Sequence, residues 1–261
     1  MNRLKTLCLG AALLAACAGA GAHDVVLVPA PDGAITIRYG HPQDWLPVDK
    51  EKLLDLQRLD ASGSTPVDDA RLKRRGLDLL VAPDSRRGAP MLAAARYDNG
   101  LWVKMPPEPG RPERWRNASR FTVPDPAATM GSLKFAKAAS LAASDDALYR
   151  REVGHLLEIV PQANPLGIGP GRMLPVLVRY NGKPLSGAGI EVTNLVDKIA
   201  EDRIERFRTD ADGVAQVRLR PSGLNVLAVD LLVPNDGSLG EAARALPVEK
   251  MMLVATYAFR R

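Results

Sequence analysis

Three histidines, His23, His41 and His155, are the strongest candidates for chemistry in this sequence. The only cysteines, Cys8 and Cys17, lie in the first 22 residues. Beyond that segment, imidazole is therefore the one strong ligand for a late transition metal. A His at the start of a mature chain offers its free amine and a ring nitrogen to one ion. A second His would add a third nitrogen, giving a T-shaped site suited to Cu(II) or Ni(II). His41 is the natural partner for His23. It follows an alternating segment, Ala34 to Tyr39, and Val25 to Pro29 precedes it as a short apolar one. Pro31-Asp32-Gly33 between them is a turn, with Pro setting φ and Gly supplying positive φ. A hairpin closed there brings Val25 to Tyr39 and His23 to His41. Read as spacing alone, the pair is equally two polar residues at strand ends. His155 precedes Leu156 to Val160 and reads as a junction histidine, with a third metal ligand as the alternative.

Whether His23 owns a free amine depends on the residues before it. Met1 to Lys5 is a short basic start, Thr6 to Ala16 an apolar run, and Ala20-Gly21-Ala22 a small-x-small cleavage site. That order is a secretory signal. A spanning helix needs roughly 20 apolar residues, and nothing after Ala22 supplies them. Cleavage after Ala22 is the favoured reading and makes His23 residue one. Leu14-Ala15-Ala16-Cys17 also fits a lipobox. Lipidation of Cys17 would be the chain's single tie to a membrane and would bury the His23 amine in a peptide bond. Either route places the protein in the periplasm or on an envelope membrane.

Other chemistries lack their motifs. There is no Gly-x-Ser-x-Gly elbow and no His-Glu-x-x-His pair. Asp210-Ala211-Asp212-Gly213 starts like a calcium loop without the closing Glu, and reads as a turn. Pro170 interrupts Gly167-x-Gly169-Pro170-Gly171 as a dinucleotide fingerprint. The methionines form no Met-x-x-Met array, and Met251-Met252 reads as strand core. The formal charge is +5, and about +3 once Arg3 and Lys5 leave with the signal. Arg71-Leu72-Lys73-Arg74-Arg75 is the one tight basic cluster and reads as a solvated loop. No stripe interleaves aromatic and basic residues, so nucleic acid is not an expected partner.

Short segments punctuated by Pro, Gly, Asn and Asp must position the histidines. Leu53 to Leu59, Leu77 to Val81, Met91 to Tyr97, Leu101 to Met105, Phe121 to Val123 and Leu133 to Lys137 continue the first series. Asp98-Asn99-Gly100 reads as a hairpin turn. Leu141 to Arg151 reads as a short helix with Ser144 as N-cap and Asp145 and Asp146 in its first turn. A second series covers Leu156 to Val160, Leu174 to Tyr180, Gly189 to Val192, Ile204 to Thr209, Val214 to Leu219, Leu224 to Val233 and Met251 to Phe259. Asn181-Gly182 and Asp210 to Gly213 are its turns. Ser238 to Leu246 reads as a helical turn or a loop insertion. About seven strands in roughly 110 residues is the pattern of a β-sandwich. The expected organisation is a signal peptide over 1–22, an N-terminal β-sandwich over 23–140, a linker over 141–155 and a C-terminal β-sandwich over 156–261.

Several of these segments together carry a family resemblance. They are Ala22-His23-Asp24, Tyr39-Gly40-His41-Pro42, Leu157-Glu158-Ile159-Val160-Pro161 with Asn164-Pro165, Gly182-Lys183-Pro184-Leu185-Ser186-Gly187-Ala188, Thr209 to Gly213, and Ala255-Thr256-Tyr257-Ala258-Phe259. The chain resembles a bacterial periplasmic family labelled as associated with nickel and cobalt uptake, formally a domain of unknown function. The resemblance implies all-β architecture with two Ig-like or transthyretin-like sandwiches. It implies a periplasmic component of cobalt or nickel import, working with a metal-transport membrane complex or an outer-membrane receptor. The resulting expectation is a non-enzymatic protein that binds Ni, Co or Cu through His23 and His41. The alternative is a metal-independent envelope module that binds its partner by strand addition. An N-terminal His on a β-sandwich also occurs in copper-dependent oxidative enzymes, but the sequence identifies no open substrate surface for one.

Overall fold

A computed structural model describes residues 23–42, 44–83, 89–141, 147–193, 204–237, 239 and 246–261. The chain is all-β, built of eighteen strands in three sheets among the described residues. The expected signal segment, the proposed cap at Ser144 with Asp145 and Asp146, and nearly all of Ser238 to Leu246 lie outside them.

The first sheet holds β1 (Asp24–Pro29), β2 (Ile35–His41), β3 (Asp44–Leu46), β6 (Leu72–Arg75) and β7 (Asp78–Val81). Its order is β1-β2-β7-β6, with β3 also on β2. The second holds β4 (Leu53–Asp60), β5 (Gly63–Pro66), β8 (Met91–Lys104), β9 (Trp115–Asn117), β10 (Ala128–Ser140), β14 (Gly189–Thr193), β15 (Glu205–Arg208), β17 (Leu224–Pro234) and β18 (Lys250–Arg260). Its order is β15-β14-β17-β18-β10-β8-β4-β5, with β9 on β8. The third holds β11 (Leu157–Pro161), β12 (Met173–Tyr180), β13 (Lys183–Pro184) and β16 (Val214–Arg218).

The nine-stranded sheet lies between the other two. Met251, Leu253, Ala255, Tyr257 and Phe259 of β18 pack with Leu157, Ile159, Leu174, Val176 and Val178 of the third sheet. Ala258, on the opposite face, belongs to the core of Val25, Leu27, Ile35 and Ile37 in the first sheet. A strand covered on both sides needs apolar residues at every position, not at every second one. This is why β18 reads Met-Met-Leu-Val-Ala-Thr-Tyr-Ala-Phe and is buried throughout that run. The two halves of the chain, 23–140 and 156–261, meet where β10 runs parallel to β18, from Met130 beside Lys250 to Ala139 beside Phe259.

Two lysines of β10 are buried on opposite faces. Lys137 donates to Glu158 (2.7 Å) and to the Arg151 carbonyl (3.1 Å), and Glu158 also accepts from the Val153 and Gly154 amides. Burial lowers the Lys137 ammonium from its ordinary range, and Glu158 opposes that shift. Burial also lowers Lys134, to about 8.

Four local expectations are corrected. Asp98-Asn99-Gly100 is not a hairpin turn: β8 runs unbroken through it, and the pairing with β10 steps from Asp98 to Gly100. Gly100 has φ +80°, and the Asp98 carboxylate accepts its amide. A bulge and a tight turn ask for the same residues, and here partner strands on both sides keep the chain extended. Phe121 to Val123 is a turn rather than a strand, leaving Phe121 81 % exposed. Of the helix expected over Leu141 to Arg151, the described part forms one 3-10 turn, Leu148–Arg150. The basic cluster near Arg71 is an edge strand, β6, not a loop, and its charges suit an unpaired edge.

Candidate functional site

The β1–β2 hairpin closes as its turn residues require. Gly33 has φ +83°, its amide donates to the Ala30 carbonyl, and Asp32 accepts from the Ala34 amide. The apolar alternation then sets the register: Leu27 beside Ile37, Val25 beside Tyr39 and Asp24 beside Gly40. The open end carries both histidines. The His23 and His41 ring centroids are 5.2 Å apart with 31° between their planes.

Gly40 allows the next turn of chain to come close. Its φ is +124°, and a β-carbon there would overlap the Asp44 carbonyl and press on Trp45. β3 therefore folds back on β2 with Asp44 opposite His41. Arg38 holds β3 down, its guanidinium lying 5.4 Å from the Trp45 ring while it donates to Asp78.

Carboxylates flank both imidazoles. His23 Nε2 lies 3.5 Å from Asp44 Oδ2, and His41 Nδ1 lies 4.0 Å from Asp24 Oδ2. Nε2 of His41 is buried and has no hydrogen-bond partner among the described residues. Such an orphaned nitrogen is costly unless something binds it. Burial, reinforced by His41, lowers the His23 pKa, which favours the neutral ring a metal needs. Burial raises Asp24 to about 6, against the pull of His41 and Lys134. Lys134 Nζ, beneath the hairpin on β10, has no hydrogen-bond partner among the described residues.

Aromatic packing fixes the floor. Tyr39 lies 5.6 Å from the His23 ring and stacks on Tyr97 at 5.5 Å. Its hydroxyl donates to Asn99 Oδ1 at 2.7 Å. Asn99 is the residue that the bulge ejects from the β8–β10 ladder. Sequence reasoning missed Asn99, Asp44 and Lys134. The first was hidden inside an apparent turn, the second in a three-residue strand, and the third in an exposed-looking alternation.

His155 does not join the pair. Its ring packs 5.3 Å from Phe135, in the core on the other face of the middle sheet. Burial pushes its pKa down to about 4. Among the described residues no three His, Cys, Asp or Glu side chains form a metal-ligating group. His23 and His41 are therefore a pair of imidazoles, each with one carboxylate beside it.

No curated protein matches the chain. A family model described as a domain of unknown function, DUF4198, matches residues 20–232, from before His23 through most of β17. The hairpin, its histidines and the bulge beneath them all fall inside that match, and the chain belongs to the DUF4198 family.

Proposed function

We propose that the protein is a non-enzymatic, periplasmic metal-binding protein that handles nickel, cobalt or copper. His23 contributes its amine and ring, and His41 its ring. The observation that carries this reading is the approach of the two rings to 5.2 Å, with a buried and unpartnered Nε2 on His41. A late transition ion supplies the Lewis acidity that makes neutral nitrogen donors effective. The reading needs export and cleavage after Ala22. The resemblance to uptake-associated proteins supports delivery to a metal-transport membrane complex or an outer-membrane receptor, with two sandwich units sharing the middle sheet.

Titration calorimetry of the chain beginning at His23 with Ni(II), Co(II) and Cu(II) tests it. Tight binding of at least one ion is expected, and a His23→Ala, His41→Ala double variant loses it. Equal heats from both proteins exclude the reading.

The exposed basic edge of β6 favours one alternative, a metal-independent module that captures an extended partner by strand addition. Partner capture unchanged by a chelator and by both histidine substitutions would select it.

A further inference from the structure

An imidazole nitrogen can bind a metal only when the proton sits on the other ring nitrogen, and that N–H needs an acceptor. The geometry of an N-terminal His decides which nitrogen is which. Amine and Nδ1 can close a six-membered chelate ring on one ion. Nε2 faces away from the backbone and cannot. The proton of His23 therefore belongs on Nε2, and the acceptor must lie beyond it.

Asp44 stands in that position, with Oδ2 at 3.5 Å from His23 Nε2. Its presence there is built in by the backbone. β3 places Asp44 opposite His41 because Gly40 leaves no β-carbon in the way, and Trp45 is clasped by Arg38. His41 shows the same polarity reversed: Asp24 faces Nδ1, and Nε2 is the nitrogen left free. His23 Nδ1 and His41 Nε2 are thus the ring nitrogens that do not face a carboxylate.

We infer that Asp44 is a positioning residue of the metal site, accepting the His23 Nε2–H and holding Nδ1 toward the ion. The inference rests on the metal reading above. Acceptors that orient a ligating His typically change metal affinity by about 10- to 100-fold.

Asp44 is 67 % exposed at its side chain, so replacing it spares the core. The chain beginning at His23 is titrated with Cu(II) against a competing chelator. Its metal-free ring nitrogens are read by 15N NMR, which separates the two tautomers without metal. Asp44→Ala should weaken Cu(II) binding about 10- to 100-fold at unchanged Tm and raise the Nδ1–H fraction of His23. Asp44→Asn keeps an acceptor oxygen and should recover most of both properties. Equal behaviour of Asp44→Ala and wild type, or equal losses in Asp44→Ala and Asp44→Asn, overturns the inference. A wild-type chain that binds no Cu(II), Ni(II) or Co(II) removes the metal reading instead, while the tautomer comparison still decides the Asp44 contact.

Discussion

At the scale of single residues, burial decides what each titratable group can do. His155 carries the largest consequence. Its folded pKa of about 4 lies below the ordinary 6.5. The folded chain therefore binds fewer protons than the unfolded chain between those values, and stability falls as pH drops through them. The contribution is fully present above pH 6.5. At about 1.4 kcal/mol per pH unit, the fall from 6.5 to about 4 amounts to a loss of about 3.5 kcal/mol once the pH is below 4. Asp24, raised to about 6, works in the opposite sense over the same range, so the readout is wild-type stability relative to His155→Leu: by urea denaturation that difference should fall by about 2–3 kcal/mol between pH 7 and pH 4.5. A His155→Leu variant with the wild-type pH profile would contradict the assignment. The histidine pair itself was legible in the sequence, because turn chemistry and alternation at Pro31-Asp32-Gly33 dictate one register. Its surroundings were not. Asn99 is displayed by a bulge, and Asp98-Asn99-Gly100 has the composition of both bulge and turn. Only the neighbouring strands settle which one forms.

At the scale of elements, the short strand β3 is the most vulnerable part of the site. It is three residues long, and it depends on a backbone approach that a single methyl group would block. Gly40→Ala should cost about 2–4 kcal/mol, from the unfavourable φ and from the overlap with Asp44. Because β3 carries Asp44, the same substitution should also weaken Cu(II) binding. Chemical denaturation with metal titration checks both. A destabilised variant with full affinity would separate β3 from the site. The longer strands were readable because they keep either an alternating or a continuous apolar pattern. Short ones such as β3, β5, β9 and β13 were not, since two to four residues contain too little pattern to tell a strand from a loop.

At the scale of the whole molecule, the middle sheet is the organising feature. Counting strands predicted sandwiches, and it could not show that one sheet serves both faces. Parallel pairing of β10 with β18 is a contact between residues about 120 positions apart, and no local signal announces it. The buried Lys137–Glu158 pair ties the same strand to the third sheet. Lys137→Met leaves the Glu158 charge without its cation and should cost about 3–5 kcal/mol. Since both cores rest on one sheet, the loss should appear as a downward shift of one calorimetric transition. Two separated transitions, with one of them unmoved, would show that the halves unfold independently.

The parallel seam also governs the order of assembly. Thr256 of β18 donates its hydroxyl to the Val25 carbonyl, across 231 positions of chain. The hairpin carrying the histidines thus gains this last part of its support only after β18 has been synthesised and has slotted between β10 and β17. Non-local closure of that kind is slow, because loop entropy is lost before any contact repays it. Until then the nascent hairpin has an open apolar face, the kind of surface that a holding chaperone covers.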